Sequence, residues 1–161
     1  MRVPVAATRR ACLHERSVRR ARSTFAVDWS LGTGGVDAGY DRILVDAPCS
    51  GTGTLRRRPE LGLRRSGADL NELARLQRAI LTRAASLAKP GGRVVYAVCS
   101  VLREEAEDVL EAVVNAAGLE PVPFDSVAAV AVAGERASTL RLMPHEHGTD
   151  GYFVASFRRT S

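Results

Sequence analysis

Arg42-Ile43-Leu44-Val45-Asp46-Ala47-Pro48-Cys49-Ser50-Gly51-Thr52-Gly53 decides how this chain folds. Its first half is a continuous apolar run closed by an acid, the pattern of a parallel strand buried on both faces. Its second half is a turn. Pro48 fixes the backbone before Cys49, and Gly51 and Gly53 permit close approach of a ligand or a base. Cys49 therefore stands at the carboxyl end of a strand, where open α/β sheets place their ligands. A second stretch repeats the arrangement: Arg93-Val94-Val95-Tyr96-Ala97-Val98 is an apolar run, and Cys99-Ser100 follows it. A lone cysteine so placed reads more readily as a small buried hydrophobe. Two thiols at two strand ends suit a reaction in which one sulfur attacks and the other removes a proton nearby.

Between the two stretches, Asp69 opens an amphipathic helix with Leu70, Leu73, Leu76, Ile80, Leu81 and Leu87 at helical spacing, and Lys89-Pro90-Gly91-Gly92 ends it. Residues 104–117 predict a second helix, with Val109, Leu110, Val113 and Val114 on one face and Gly118 as its stop. Residues 152–158 alternate as a final strand, and 120–124 read as a short one. The Ala- and Val-rich stretch 126–140 has no clear period. Upstream, Thr24-Phe25-Ala26-Val27-Asp28 reads as a short strand before a glycine-rich loop, Gly32 to Gly39. Strands alternating with helices predict an α/β fold with a mostly parallel sheet. Residues 1–23 form a basic segment, read as either helical or disordered. Residues 24–161 form the domain proper.

At 161 residues with 45% hydrophobic content, the chain supports one core. No run of eighteen apolar residues exists, which argues against a membrane span, and no signal sequence is evident. A cytoplasmic location is expected. Cys12, Cys49 and Cys99 are an odd set without CxxC spacing, so they suit neither a disulfide framework nor a zinc site. They read as free thiols of a reducing compartment. The net charge of +5 comes from arginine, with Lys89 the sole lysine among 23 basic residues. Nucleic acid is the natural anionic partner, and a GC-rich coding sequence accounts for the arginine equally well.

The two cysteine stretches resemble two motifs of the RNA (cytosine-5)-methyltransferases of the Sun/Fmu (RsmB/NOP) type, enzymes that use S-adenosylmethionine. Asp46-Ala47-Pro48-Cys49-Ser50-Gly51 is similar to the family's fourth motif and Tyr96-Ala97-Val98-Cys99-Ser100 to its sixth. Leu76-Gln77, Lys89-Pro90-Gly91-Gly92 and residues 141–158 fall in the family's order. Several ordered matches are far more specific than one short pattern. The resemblance implies a Rossmann-like methyltransferase fold and methylation of carbon 5 of cytosine in RNA, ribosomal RNA by analogy. It implies that Cys99 attacks carbon 6 and that Cys49 assists release of the methylated base. Asp46 would meet the methionine end of S-adenosylmethionine, and Asp28 its adenine. Asp46 read without the resemblance is also a plausible turn cap.

Other residues are weighed against plainer readings. Arg56, Arg57, Arg58, Arg64 and Arg65 are placed to grip RNA phosphates or to form a solvated loop. His145 and His147 flank Glu146 but lack a third metal ligand, so a structural turn is preferred and no metal is expected. The family's glycine loop after its first strand is not found, and Gly32 to Gly35 comes after the presumed third strand. Val98 stands where the family commonly carries Thr. The chain is therefore expected to be the C-terminal part of a catalytic domain, truncated on its N-terminal side, with an unpaired edge on the strand ending at Asp46. Two expectations remain: a catalytic part working with a missing N-terminal half or partner chain, or a non-catalytic remnant acting as a basic RNA-binding module.

Overall fold

The computed structural model describes residues 36–63 and 66–160, together with two short strands, Ala6–Thr8 (β1) and Thr24–Ala26 (β2). Asp28, Cys12, residues 11–22, the Gly32–Gly35 cluster, Arg64 and Arg65 lie outside the described residues. β1 and β2 pair antiparallel as a sheet of their own. Strand β2 thus differs from its expected place as a third strand of the main sheet. A parallel neighbour needs a long crossover, usually a helix, and the link from Val27 to Gly39 carries four glycines and no helical period.

The main sheet contains Tyr40–Asp46 (β3), Ala88–Val98 (β4), Leu119–Pro121 (β5), Thr139–Leu142 (β6) and Tyr152–Arg159 (β7). Its order is β3-β4-β7-β5, and β6 also pairs with β7. The sheet is mixed rather than mostly parallel: β3 and β4 run parallel, whereas β7 is antiparallel to β4, β5 and β6. β7 is long enough for its first half to hold β6 and its second half β5. Among the described residues β3 is an edge strand, as expected.

Helix Gly67–Leu87 (α1) begins two residues earlier than its apolar period suggested, because Ser66 caps it. Ser66 and Asp69 form a reciprocal capping box. The buried stripe runs through Ala74, Gln77, Ile80, Leu81, Ala84, Ala85 and Leu87, leaving Leu70, Leu73 and Leu76 only half-buried. Helix Glu107–Val113 (α2) follows a 3-10 turn, Arg103–Glu105, and packs against α1. Residues 126–140, unreadable by period, hold helix Val127–Ala133 (α3) and then β6. A one-turn helix, Pro144–His147 (α4), precedes β7.

Cross-strand pairs Val94–Phe157, Tyr96–Ala155 and Val98–Phe153 are buried on one sheet face. Each buried Val or Phe is worth about 1.5–3 kcal/mol of transfer free energy. The alternate residues Val95, Ala97 and Val154 are half-buried, and Leu44 on β3 is 66% exposed. The run at 42–46 is therefore covered on one side by the described residues, not on both as its apolarity implied.

Candidate active site

β3 and β4 are parallel neighbours, with Asp46 opposite Ala97. Their carboxyl ends therefore emerge side by side. The amide of Ala47 donates to the Ala97 carbonyl at 3.0 Å, and that of Gly53 to the Cys99 carbonyl at 3.1 Å. These bonds fold the Cys49 turn back across the end of β4. The result is a Cys49 Sγ–Cys99 Sγ separation of 3.1 Å, with both thiols free and half-buried. The two sequence-predicted cysteines are brought together.

Glycine makes the closeness possible. A Cβ on Gly53 would run into the Gly151 carbonyl, and one on Gly151 would lie 2.9 Å from the Gly53 Cα. The Gly151 amide donates to the Gly53 carbonyl at 2.8 Å. Three distant stretches, the Cys49 turn, the Cys99 strand end and the Asp150-Gly151 turn, thus meet backbone to backbone.

Side chains seal this junction. Buried Asp150 accepts from Arg57 through both oxygens, from Nε at 3.0 Å and also from Nη2. Arg57 is thereby paired within the protein while its side chain stays largely exposed, and Asp150 raises its pKa through that hydrogen bond. Thr52 Oγ1 and Ser100 Oγ are hydrogen bonded at 3.0 Å. Arg141, half-buried, donates to the Val101 carbonyl and to both oxygens of Glu107, and lies over the Phe153 ring. His147 Nδ1 accepts from the Met143 amide at 3.0 Å, which places it in the α4 turn.

Glu105 is fully buried, and the sequence reading missed it. Its carboxylate accepts from the Ser50 amide at 2.8 Å, from Ser50 Oγ at 2.5 Å and from Gln77 Nε2 at 3.0 Å. Gln77 Nε2 also donates to the Pro48 carbonyl at 2.9 Å, and Tyr96 Oη donates to the Glu105 carbonyl at 2.7 Å. Burial, then the nearby Cys49 and Glu105, push the Tyr96 hydroxyl pKa up. The available signal was Gln77, a polar residue on the apolar stripe of α1.

The thiols differ in charge preference. A hydrogen bond from Cys49 lowers the Cys99 pKa to about 7, against opposition from burial and from Asp46 and Glu105. The same bond, burial and the Cys99 charge push Cys49 up. The pair therefore shares one proton near neutral pH, held by Cys49. Asp46 is exposed at the end of β3, close enough for its charge to act on Cys99 and Tyr152. Its exposed carboxylate suits a cationic ammonium group.

Two free thiols thus stand 3.1 Å apart on adjacent strand ends of an α/β sheet, an arrangement whose chemistry suits nucleophilic attack by one sulfur. A profile of the family described as 16S rRNA methyltransferase RsmB/F matches residues 6–158, and the chain belongs to that family. A putative methyltransferase of Mycobacterium tuberculosis is 47% identical over 129 residues, covering 77% of this chain and 27% of that protein. Ribosomal RNA small subunit methyltransferase B of Pasteurella multocida is 40% identical over 123 residues, covering 74% and 26%. The crystal structure of NSun6 from Pyrococcus horikoshii with SFG has a TM-score of 0.61 at 28% identity, over 77% of this chain and 31% of that one. The chain spans about a quarter of the length of these curated relatives. The resemblance read from the two cysteine motifs and the α/β methyltransferase fold it implied are both borne out.

Proposed function

We propose that this chain carries the catalytic thiols of an S-adenosylmethionine-dependent RNA cytosine-5 methyltransferase acting on ribosomal RNA in the cytoplasm, working as part of a longer or two-chain enzyme. The 3.1 Å thiol pair carries this reading. Relatives named as ribosomal RNA methyltransferases support the substrate class.

Carbon 5 of cytosine is a poor nucleophile. Addition of the Cys99 thiolate to carbon 6 pushes electrons toward carbon 5, which then accepts an electrophilic methyl group, the chemistry S-adenosylmethionine supplies when bound. Cys49, its own proton lost to solvent once Cys99 is bonded to carbon 6, takes the carbon 5 proton, and the electrons of that C–H bond expel the Cys99 thiolate to release the methylated base. Asp46 would hold the ammonium end of the cofactor, and Asp28, outside the described residues, its adenine. The target base has to leave its stack to reach the thiols.

The test is covalent trapping on RNA containing 5-fluorocytosine, with S-adenosylmethionine present. An adduct that survives denaturing gels and disappears in Cys99→Ala is expected. Absence of any adduct, even with the N-terminal part of a relative supplied as a second chain, would refute the proposal.

A further inference from the structure

Glu105 touches neither thiol, yet it is the charged side chain tied most closely to the turn that carries one of them. It accepts from the Ser50 amide and hydroxyl, immediately beyond Cys49. Through Gln77 it is linked to the Pro48 carbonyl, immediately before Cys49. The two residues flanking Cys49 are thus held by one buried carboxylate and its partner amide. A buried carboxylate is costly unless its oxygens are satisfied, and here the donors come from the Cys49 turn and from α1. Removing it would strand the Ser50 amide and loosen the turn between its backbone bonds at Ala47 and Gly53.

We infer that Glu105 is a positioning residue: by clamping Pro48 and Ser50 it holds the Cys49 thiol against Cys99, so that the pair acts as one proton-sharing unit. This rests on the thiol roles proposed above, but the clamp is testable without RNA or cofactor. Other groups act on the same thiols: Asp46 from the end of β3, Tyr152 from β7 and Tyr96 from β4. None of them bonds to the turn.

Charge and positioning have opposite signs. The negative charge of Glu105 by itself raises the Cys99 pKa, whereas the Cys49 hydrogen bond it supports lowers it. Glu105→Gln keeps one oxygen for the Ser50 amide and Gln77, and its new amide can donate to Ser50 Oγ. Glu105→Ala keeps none of these bonds.

The experiment follows the pH dependence of iodoacetamide alkylation at Cys99, resolved by peptide mass spectrometry, on the folded chain and its variants. Glu105→Ala should raise the midpoint by about one pH unit, while Glu105→Gln stays at or below the unsubstituted chain. Ser50→Ala, which keeps the buried charge but loses the hydroxyl bond, should raise it by a smaller amount and serves if Glu105→Ala does not fold. A midpoint that falls or stays in Glu105→Ala, or in Ser50→Ala where the first variant is unfolded, overturns the inference. Cys49→Ala in the same assay separates the two ideas. If it shifts the midpoint and the clamp variants do not, only the clamp fails; if it does not, the thiol pair itself fails.

Discussion

Cys49→Ala removes the hydrogen bond that holds the Cys99 pKa near 7. The Cys99 midpoint should then rise at least to the ordinary thiol value of about 8.5, because burial, Asp46 and Glu105 still act upward. At pH 7 the thiolate fraction falls from about one half to about 3%, roughly sixteenfold. A more basic thiolate is intrinsically more nucleophilic, and a Brønsted slope of about 0.4–0.5 returns a factor of about four to six. The net expectation is alkylation of Cys99 about three- to fourfold slower at pH 7, and about four- to sixfold faster once Cys99 is fully ionised in both chains, about pH 10. The two pH profiles cross near pH 8. Mass spectrometry of the tryptic peptides after timed iodoacetamide quenches reads Cys99 separately from Cys12 and Cys49. A Cys49→Ala midpoint that stays near 7, with no crossing, would show that Cys99 acidity has another source and would remove the physical basis for the pairing.

Gly53→Ala should destabilise the fold by about 1–3 kcal/mol in urea unfolding, the usual cost of overpacking, because the added methyl meets the Gly151 backbone; an unchanged midpoint would contradict the interlock. Ser66→Ala should cost about 1 kcal/mol through loss of the α1 capping box, read in the same unfolding assay. For RNA binding followed against salt, Arg58→Ala should lower the slope by about one phosphate contact. Arg57→Ala should lower it less, since Asp150 already engages that guanidinium; equal effects would disprove the distinction.

The strand ends and their thiols were legible because an apolar run followed by a small polar turn has few other readings. Sheet direction was not. Nothing in residues 139–142 or 152–159 states that β6 and β7 run antiparallel to their neighbours, since alternation fixes a face but not a partner. Leu44 shows the same limit, apolar by sequence and 66% exposed among the described residues. Glu105 was invisible for a different reason. It sits in Arg103-Glu104-Glu105-Ala106-Glu107, where Glu104 is exposed and Glu105 is fully buried. Local pattern cannot separate them, because the donors come from Pro48–Ser50 and from Gln77 on another element. Gln77 alone broke the apolar stripe in a readable way.

The unequal thiols also bear on the order of events in the proposed reaction. While Cys99 is a thiolate, its charge and its hydrogen bond are what keep the Cys49 proton in place. Once Cys99 has bonded to carbon 6 of the base, its sulfur is a neutral thioether and both effects vanish. Burial and Glu105 still oppose ionisation of Cys49, but the largest opposing cause is gone. The second thiol therefore becomes easier to deprotonate after the first has reacted, which is when a base for the carbon 5 proton is needed. Release restores the Cys99 thiolate and with it the grip on the Cys49 proton. A Cys49→Ala chain should still attack, yet retain RNA covalently on denaturing gels, whereas Cys99→Ala should show no retained RNA; equal retention by the two would refute this division of labour.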